Sequence, residues 1–325
     1  SLSGPEANLE EGLRLLRARF TAPNVEPGPL EKLVAIWIGQ HKDNKLEVSA
    51  IGNALEEWAL RGPESSVLAE LTDAELKALT EAGLKAKLAA FPDGAGRAAY
   101  VGSRDADAVV AALKEPAKSY RAAPPRPAVT FVKPPAPRVV FTHRDMAQSQ
   151  VGFYAADGLY DPERSTEQRF YSNYMGGGFS SVVFQEVREA RSLAYSAWGG
   201  YSGGSYRIDE NRLVGELGCQ ADKTVDAVEL MLKLFADLPS SETRFKESQD
   251  SILQAYRTKP LTFRQIPGAV LGGEDVGYDQ DPRPRRYKEA QAYTLKDLLA
   301  FAARFKCKVM TVHILGNRDR LDLKA

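Results

Sequence analysis

The stretch Met175–Tyr206, MGGGFSSVVFQEVREARSLAYSAWGGYSGGSY, decides how the rest of the chain is interpreted. Three glycines open it, but no Gly-Lys-Ser/Thr follows them and no strand leads directly into them, which argues against a phosphate-binding loop. Three consecutive glycines instead let the backbone turn and approach a neighbouring strand closely. We therefore favour a structural role for this loop, with substrate or anion binding as the alternative. The loop comprises Gly176, Gly177, Gly178 and Ser180.

An arginine and a tyrosine stand seven residues apart in the same stretch. Arg188 and Tyr195 are separated by about two helical turns, and a strand-like run, LAYSAW, begins between them. A helix that ends at Arg191 and reverses into a strand can bring both side chains to one cavity. They would offer guanidinium and phenolic donors there. For either residue alone, a solvated position on the protein surface is the alternative interpretation.

Size and charge restrict the function classes. The chain has 325 residues, enough for two domains. Its 43 basic and 43 acidic residues give a formal net charge of zero, so it lacks the basic field that nucleic-acid binding requires. No run approaches the roughly 18 apolar residues of a membrane span, and none is predicted. The chain begins at Ser1 rather than at Met, which indicates a cloning scar or a cleavage point.

Two similar segments indicate an internal repeat. YVGSRD at Tyr100–Asp105 resembles ILGNRD at Ile314–Asp319, and the two aspartates lie 214 positions apart. Phe20 and Phe235 match at nearly the same spacing, 215 positions. Several short matches at one period predict two copies of one structural unit.

A proline-rich segment, residues 123–137, separates the copies and is predicted to be an extended linker. An irregular edge strand is the alternative interpretation of this segment, and it would not change the predicted division into two domains. We predict a first domain over residues 1–122 and a complete second domain over 138–325. The start of the first domain corresponds to the part of the second domain that begins with the helix at Asp222. We therefore expect the first domain to be incomplete at its N-terminus. The chain is then a fragment of a longer protein.

Periodicity predicts an α+β fold. Helices are expected behind strands in each unit, as an antiparallel-rich mixed sheet with helices packed on one face. Thr72 and Thr294 precede predicted helices as N-caps. The predicted strands are Ala98–Gly102, Arg138–His143, Ser149–Ala155, Ala194–Tyr201, Leu213–Gln220 and Lys308–Leu315.

The run GGGFSSVVFQEVREARSLAYSAW, Gly176–Trp198, resembles the signature of the insulinase–pitrilysin family of zinc metallopeptidases. That family includes the mitochondrial processing peptidases and their bacterial relatives. The resemblance extends over the whole chain and is strongest in residues 138–260. It implies zinc-dependent peptide hydrolysis by a protein of repeated domains, of which this chain looks like the third and fourth. It also implies that Arg188 and Tyr195 hydrogen-bond the substrate carbonyl and help to stabilise the oxyanion.

The family's zinc motif, H-x-x-E-H, is missing from this sequence. The three histidines, His41, His143 and His313, are scattered, so we expect no metal site here. The resemblance therefore implies that a missing N-terminal half or a partner subunit supplies zinc. This chain alone should be inactive.

Two hypotheses follow. In the first, this is the C-terminal part of a zinc endopeptidase that closes the chamber around a peptide or unfolded polypeptide. In the second, it is a non-catalytic scaffold or assembly subunit of the same fold. The composition suggests a bacterial source, and analogy with bacterial relatives suggests the periplasm rather than the cytoplasm.

Overall fold

The structure is a computed structural model that describes residues 2–23, 28–90, 96–113 and 125–321. The chain forms two compact units, and the boundary at Pro127 falls within the predicted linker, residues 123–137. Residues 123 and 124 of that linker lie outside the described part. The first unit comprises Ser1–Leu46, Glu70–Pro127 and Leu261–Leu271, and the second comprises Glu47–Ala69, Ala128–Pro260 and Gly272–Ala325.

Helices occur in both units. In chain order they are α1 (Leu9–Thr21), α2 (Pro29–Asn44), α3 (Val48–Arg61), α4 (Asp73–Ala78), α5 (Glu81–Ala90), α6 (Ala106–Leu113), α7 (Ser165–Gly176), α8 (Thr224–Ala236), α9 (Glu242–Thr258), α10 (Ile266–Asp275), α11 (Arg283–Ala292) and α12 (Leu295–Ala302). No helix in the described ranges combines the length and the apolar character of a membrane span.

The first unit is helical in its described residues. The predicted N-cap at Thr72 is confirmed, because Thr72 and Glu75 form a reciprocal capping box at the start of α4. The strand predicted at Ala98–Gly102 is wrong, since these residues run as irregular and largely exposed chain. A strand needs a hydrogen-bonding neighbour. The described part of this unit contains no other strand to provide one.

The second unit contains a five-stranded mixed sheet, which confirms the predicted α+β class. Its spatial order is β1-β5-β2-β4-β3. Neighbouring strands run antiparallel except for β1 and β5, which are parallel. The strands are β1 (Arg138–His143), β2 (Gln148–Leu159), β3 (Ala194–Ser202), β4 (Glu210–Gln220) and β5 (Thr311–Gly316).

One face of this sheet carries the main core. Val151, Phe153 and Ala155 alternate along β2 and belong to one buried cluster with residues of α7 and α8. Helices α9 and α12 pack behind α7, so a helical layer covers this face as expected. The layer holds α7 against β3, one of the two outer strands of the sheet, and thereby fixes the surroundings of Arg188 and Tyr195.

The opposite face is covered in part by α3. Gly52 on α3 lies against the side chains of Gln150 and Leu315. Glu56 on the same helix is half-buried, and this burial, together with the negative charge of Glu216, raises the pKa of its carboxyl group. The sequence did not predict this second layer, because the contact joins segments about 100 residues apart.

Candidate functional site

Arg188 lies on a π-helix, Phe184–Glu189, and not on the regular helix that we expected to end at Arg191. Val182, Val183 and Val187 are fully buried and anchor the segment in the core. π-Helical turns are rare, and they occur frequently at functional sites.

The chain reverses from this helix into β3 at Ser192. Ser192 has φ of 49°, and it is the sole non-glycine residue in the described ranges with positive φ. Its amide donates to the carbonyl of Arg188, and the amide of Leu193 donates to the carbonyl of Val187. Strained residues of this kind persist where the surrounding structure holds them, often at functional sites.

Tyr195 stands at a β-bulge. The pairing of β3 with β4 matches Ala194 with Cys219 and Ser196 with Gly218, so Tyr195 is the extra residue. A bulge redirects a side chain away from the regular alternation of the strand. The Tyr195 side chain is 77% exposed, and no described residue forms a hydrogen bond with its hydroxyl group.

Both predicted donors therefore reach solvent. The Arg188 guanidinium lies over the Phe184 ring, 4.8 Å from its centroid, and its Nε is 3.6 Å from the Glu189 carboxylate. Phe184 in turn meets the exposed Phe179 edge to face. These contacts restrain Arg188 without burying it, so its donors stay available to a ligand.

The glycine loop packs tightly at two positions. A Cβ on Gly176 would overlap the carbonyl oxygen of Gly199 and stand 2.7 Å from the Gly199 nitrogen. A Cβ on Gly177 would stand 2.6 Å from the Asn173 carbonyl oxygen. Gly178 has φ of 122°, which side-chain-bearing residues rarely adopt. At each of these three positions the backbone geometry therefore favours glycine. The carbonyl of Ser180 accepts a hydrogen bond from Arg244.

The described residues of this chain do not fit a zinc ion. His41 contacts Asp73, His143 accepts a hydrogen bond from the Arg318 amide, and His313 is half-buried on β5. No group of three or more His, Cys, Asp or Glu side chains suited to a metal occurs within the ranges that the structure describes.

A cavity of about 460 Å³ lies elsewhere in the second unit, between α8, β1 and β5. Its walls are mostly apolar, and neither Arg188 nor Tyr195 lines it. The exposed site beside β3 is therefore distinct from this cavity.

The irregular features of the site were not visible in the sequence. The glycines and the Arg–Tyr spacing were singled out, but the π-helix, the strained Ser192 and the bulge were not. Phe179 was not assigned to the site, and for Trp198 packing in the sheet was favoured over a role in lining a peptide chamber. The glycines that precede Phe179 and those that follow Trp198 were the available signal, because glycine-rich surroundings leave large side chains uncovered.

Comparison with known proteins supports the resemblance seen in the motif. An uncharacterized zinc protease of Mycobacterium tuberculosis is 31% identical over 155 residues, which cover 45% of this chain and 33% of that protein. A relative from Mycobacterium leprae, also described as an uncharacterized zinc protease, is 30% identical over 149 residues. That match covers 43% of this chain and 32% of the relative. The chain thus matches about a third of the length of these curated relatives.

Solved structures share the fold. The peptidase M16 inactive domain from Pseudomonas fluorescens superimposes with a TM-score of 0.70 at 16% identity, over 95% of this chain and 75% of that one. The ferredoxin protease FusC, solved as a point mutant in complex with Arabidopsis ferredoxin, gives a TM-score of 0.74 at 12% identity. That match covers 97% of this chain and 35% of FusC.

The family assignment follows from the sequence match. The family model described as the peptidase M16 inactive domain matches residues 98–272, which is more than half of the chain. The match includes the whole glycine loop, Arg188 and Tyr195, so the family resemblance inferred from the motif is confirmed. The chain belongs to the family of the peptidase M16 inactive domain.

Proposed function

We propose that this chain is the C-terminal part of a zinc-dependent endopeptidase and that Arg188 and Tyr195 hydrogen-bond the substrate carbonyl. The observation that carries the proposal is the pair of exposed donors on irregular backbone, one on a π-helix and one at a β-bulge. Membership of the family and the zinc protease relatives support the same reaction class.

The two side chains have complementary capabilities. The Tyr195 hydroxyl group donates one directional hydrogen bond, and the Arg188 guanidinium group adds several donors in a fixed planar arrangement. Aimed at a carbonyl oxygen, both would bind it more tightly as negative charge develops there. Removing one such preorganised donor typically lowers turnover by about 10²–10³-fold.

Zinc would be supplied by the rest of a longer polypeptide or by a partner subunit, because the part of this chain that the structure describes holds no group of side chains suited to a metal. The substrates would be peptides or unfolded polypeptide segments. The FusC structure, in which a protease of this fold is in complex with ferredoxin, supports a protein or peptide substrate. The alternative function is a scaffold or assembly subunit, which the description of the family domain as inactive favours.

Substitution in the zinc-containing protein separates the two functions. We expect Arg188→Ala and Tyr195→Phe each to lower kcat for a quenched-fluorescence peptide by about 10²–10³-fold, with little change in the free energy of unfolding. Arg191→Ala is the matched control, since Arg191 is similarly exposed and lies three residues away. Unchanged kinetics in both variants, or a loss of stability in place of turnover, would support the scaffold.

A further inference from the structure

The outer edge of the sheet at β3 is closed at one position by a side chain. The Tyr201 amide donates to Ser172 Oγ at 2.9 Å, and Ser172 Oγ donates to the Tyr201 carbonyl at 3.0 Å. The backbone of Tyr201 therefore points away from β4. Since the direction of backbone groups alternates along a strand, Gly199 and Ala197 also point their N–H and C=O groups outward.

A glycine on α7 closes the edge at the next outward position. Gly176 lies so close to the backbone N and O of Gly199 that a Cβ would overlap them, and the Trp198 ring contacts the same point. No strand or peptide can reach Gly199 there without displacing α7. Helix α7 thus blunts the edge from Gly199 to Tyr201, which is how natural sheets avoid unwanted pairing.

At Ala197 the edge is open. No residue in the described ranges forms a hydrogen bond with its outward backbone groups, and its neighbours Ser196 and Trp198 are exposed. The bulge at Tyr195 interrupts the regular pairing on the N-terminal side. The opening is therefore short, limited by Gly199 on one side and by Tyr195 on the other.

Exposed aromatic side chains flank this opening. Phe179 is 80% exposed and Trp198 is 41% exposed, whereas many other aromatic side chains of this unit lie in the core. Phe179 contacts Phe184, over which the Arg188 guanidinium lies. Trp198 lies beside Gly176, and Gly176 precedes Phe179 by three residues in the chain. Apolar rings beside unpaired backbone groups suit an extended chain that carries an apolar side chain.

We propose that an extended peptide adds to the edge of β3 by pairing its backbone with Ala197, and that Trp198 and Phe179 bind apolar side chains of that peptide. The inference rests on the proposed function in one respect, namely that the peptide bound here is the substrate. One backbone pair next to Arg188 and Tyr195 would set the register of the peptide relative to those two donors.

Binding can be measured without catalysis, by fluorescence anisotropy of the 325-residue chain with a fluorescein-labelled twelve-residue peptide. The peptide alternates serine and threonine and carries one central phenylalanine. A series with one N-methyl group moved along it tests strand pairing, because alternate residues face the protein edge. We expect one N-methyl position within a few residues of the phenylalanine to weaken binding about tenfold or more, and its immediate neighbours to change it less than about twofold.

Protein variants test the location. Ala197→Pro removes one outward N–H, and proline is tolerated on an edge strand where that N–H faces solvent. We expect this variant to weaken binding about tenfold. Trp198→Ala should weaken it as well, while Trp58→Ala is the matched control, since Trp58 is similarly exposed on α3. The N-methyl series leaves the protein unchanged and stays decisive if Ala197→Pro does not fold.

Three results would overturn the proposal. One is a lack of measurable binding, another is weakening that is equal at every N-methyl position, and the third is unaltered affinity in folded Ala197→Pro. Self-association of the chain that Ala197→Pro abolishes, without peptide binding, would assign the edge to a second copy and also overturn it. Because no hydrolysis is measured, these outcomes are independent of the kinetic test of Arg188 and Tyr195.

Discussion

The hydroxyl group of Tyr201 on β3 donates a 2.6 Å hydrogen bond to the buried carboxylate of Asp157 on β2. Arg304 and Lys308 donate to the same carboxylate at 2.9 and 2.7 Å. Burial alone would raise the pKa of Asp157, but the hydrogen bonds from Lys308 and Tyr201 and the charge of Arg304 outweigh it and lower that pKa. Asp157 therefore stays ionised and joins β3 to the segment that precedes β5.

We expect Asp157→Asn to destabilise the second unit by about 2–4 kcal/mol, because an amide oxygen cannot accept from all three donors and two cations lose their counter-charge. Tyr201→Phe should cost less, about 1 kcal/mol, since it removes a single donor. Urea denaturation at pH 7 measures both. The contribution of Asp157 is present above its unfolded pKa and is lost as pH falls through the lower folded value. Equal stability of wild type and Asp157→Asn would contradict this account.

A second pH dependence comes from His313. Burial lowers the pKa of its imidazole from 6.5 to about 4, and no charged group contributes to that shift. The folded state therefore binds this proton less readily than the unfolded state. The contribution of neutral His313 to the free energy of unfolding is fully present above pH 6.5. It is lost as the pH decreases from 6.5 towards 4, by a total on the order of 3 kcal/mol.

Unfolding by urea at pH 7 and pH 5 measures this effect. His313→Gln carries no titrating group, so we expect a smaller loss of stability between the two pH values than in wild type. His143→Gln is the control, because His143 is exposed on β1. If wild type and His313→Gln lose the same free energy over this interval, His313 is not the responsible group.

The sequence predicted the elements of the second unit well, because their signals are local. The N-cap at Thr294 and the amphipathic pattern of α8 each lie within a few helical turns. The predicted strand Ala98–Gly102 failed for a different reason. Its local pattern resembled that of β5, but pairing depends on neighbours that the first unit lacks in its described residues. The packing of α3 on the opposite face of the sheet was likewise not predicted, because it joins residues that are far apart in the sequence.

Prediction from the sequence was also limited within the candidate site, although its residues are close together in the chain. The Arg188–Tyr195 spacing could be read directly, whereas the geometry between them could not. A π-helical turn of six residues differs too little from an α-helical one to change the hydrophobic pattern of Val183 and Val187. The positive φ of Ser192 carries no sequence signal either, since serine is not a residue that favours it.

The contact between Gly176 and Gly199 gives a third prediction. Gly176→Ala must displace α7 from the edge of β3, and we expect a loss of about 1–3 kcal/mol in the free energy of unfolding. Gly158→Ala is the matched control, because a Cβ at Gly158 meets no atom within 4 Å. The control should stay within about 0.5 kcal/mol of wild type in urea denaturation. A neutral Gly176→Ala would show that α7 is free to move away from the edge.

Ser192 provides the last test, since its backbone connects Arg188 to Tyr195. At φ of 49°, a β-branched residue is more strained than serine, and glycine is unstrained. We expect Ser192→Val to destabilise by about 1–3 kcal/mol and Ser192→Gly to change stability by less than about 1 kcal/mol. Ser196→Val is the control, because valine suits the extended backbone of β3. If valine is tolerated equally at Ser192 and Ser196, the reversal is not held in the left-handed conformation, and the link that we infer between the π-helix and the bulge fails.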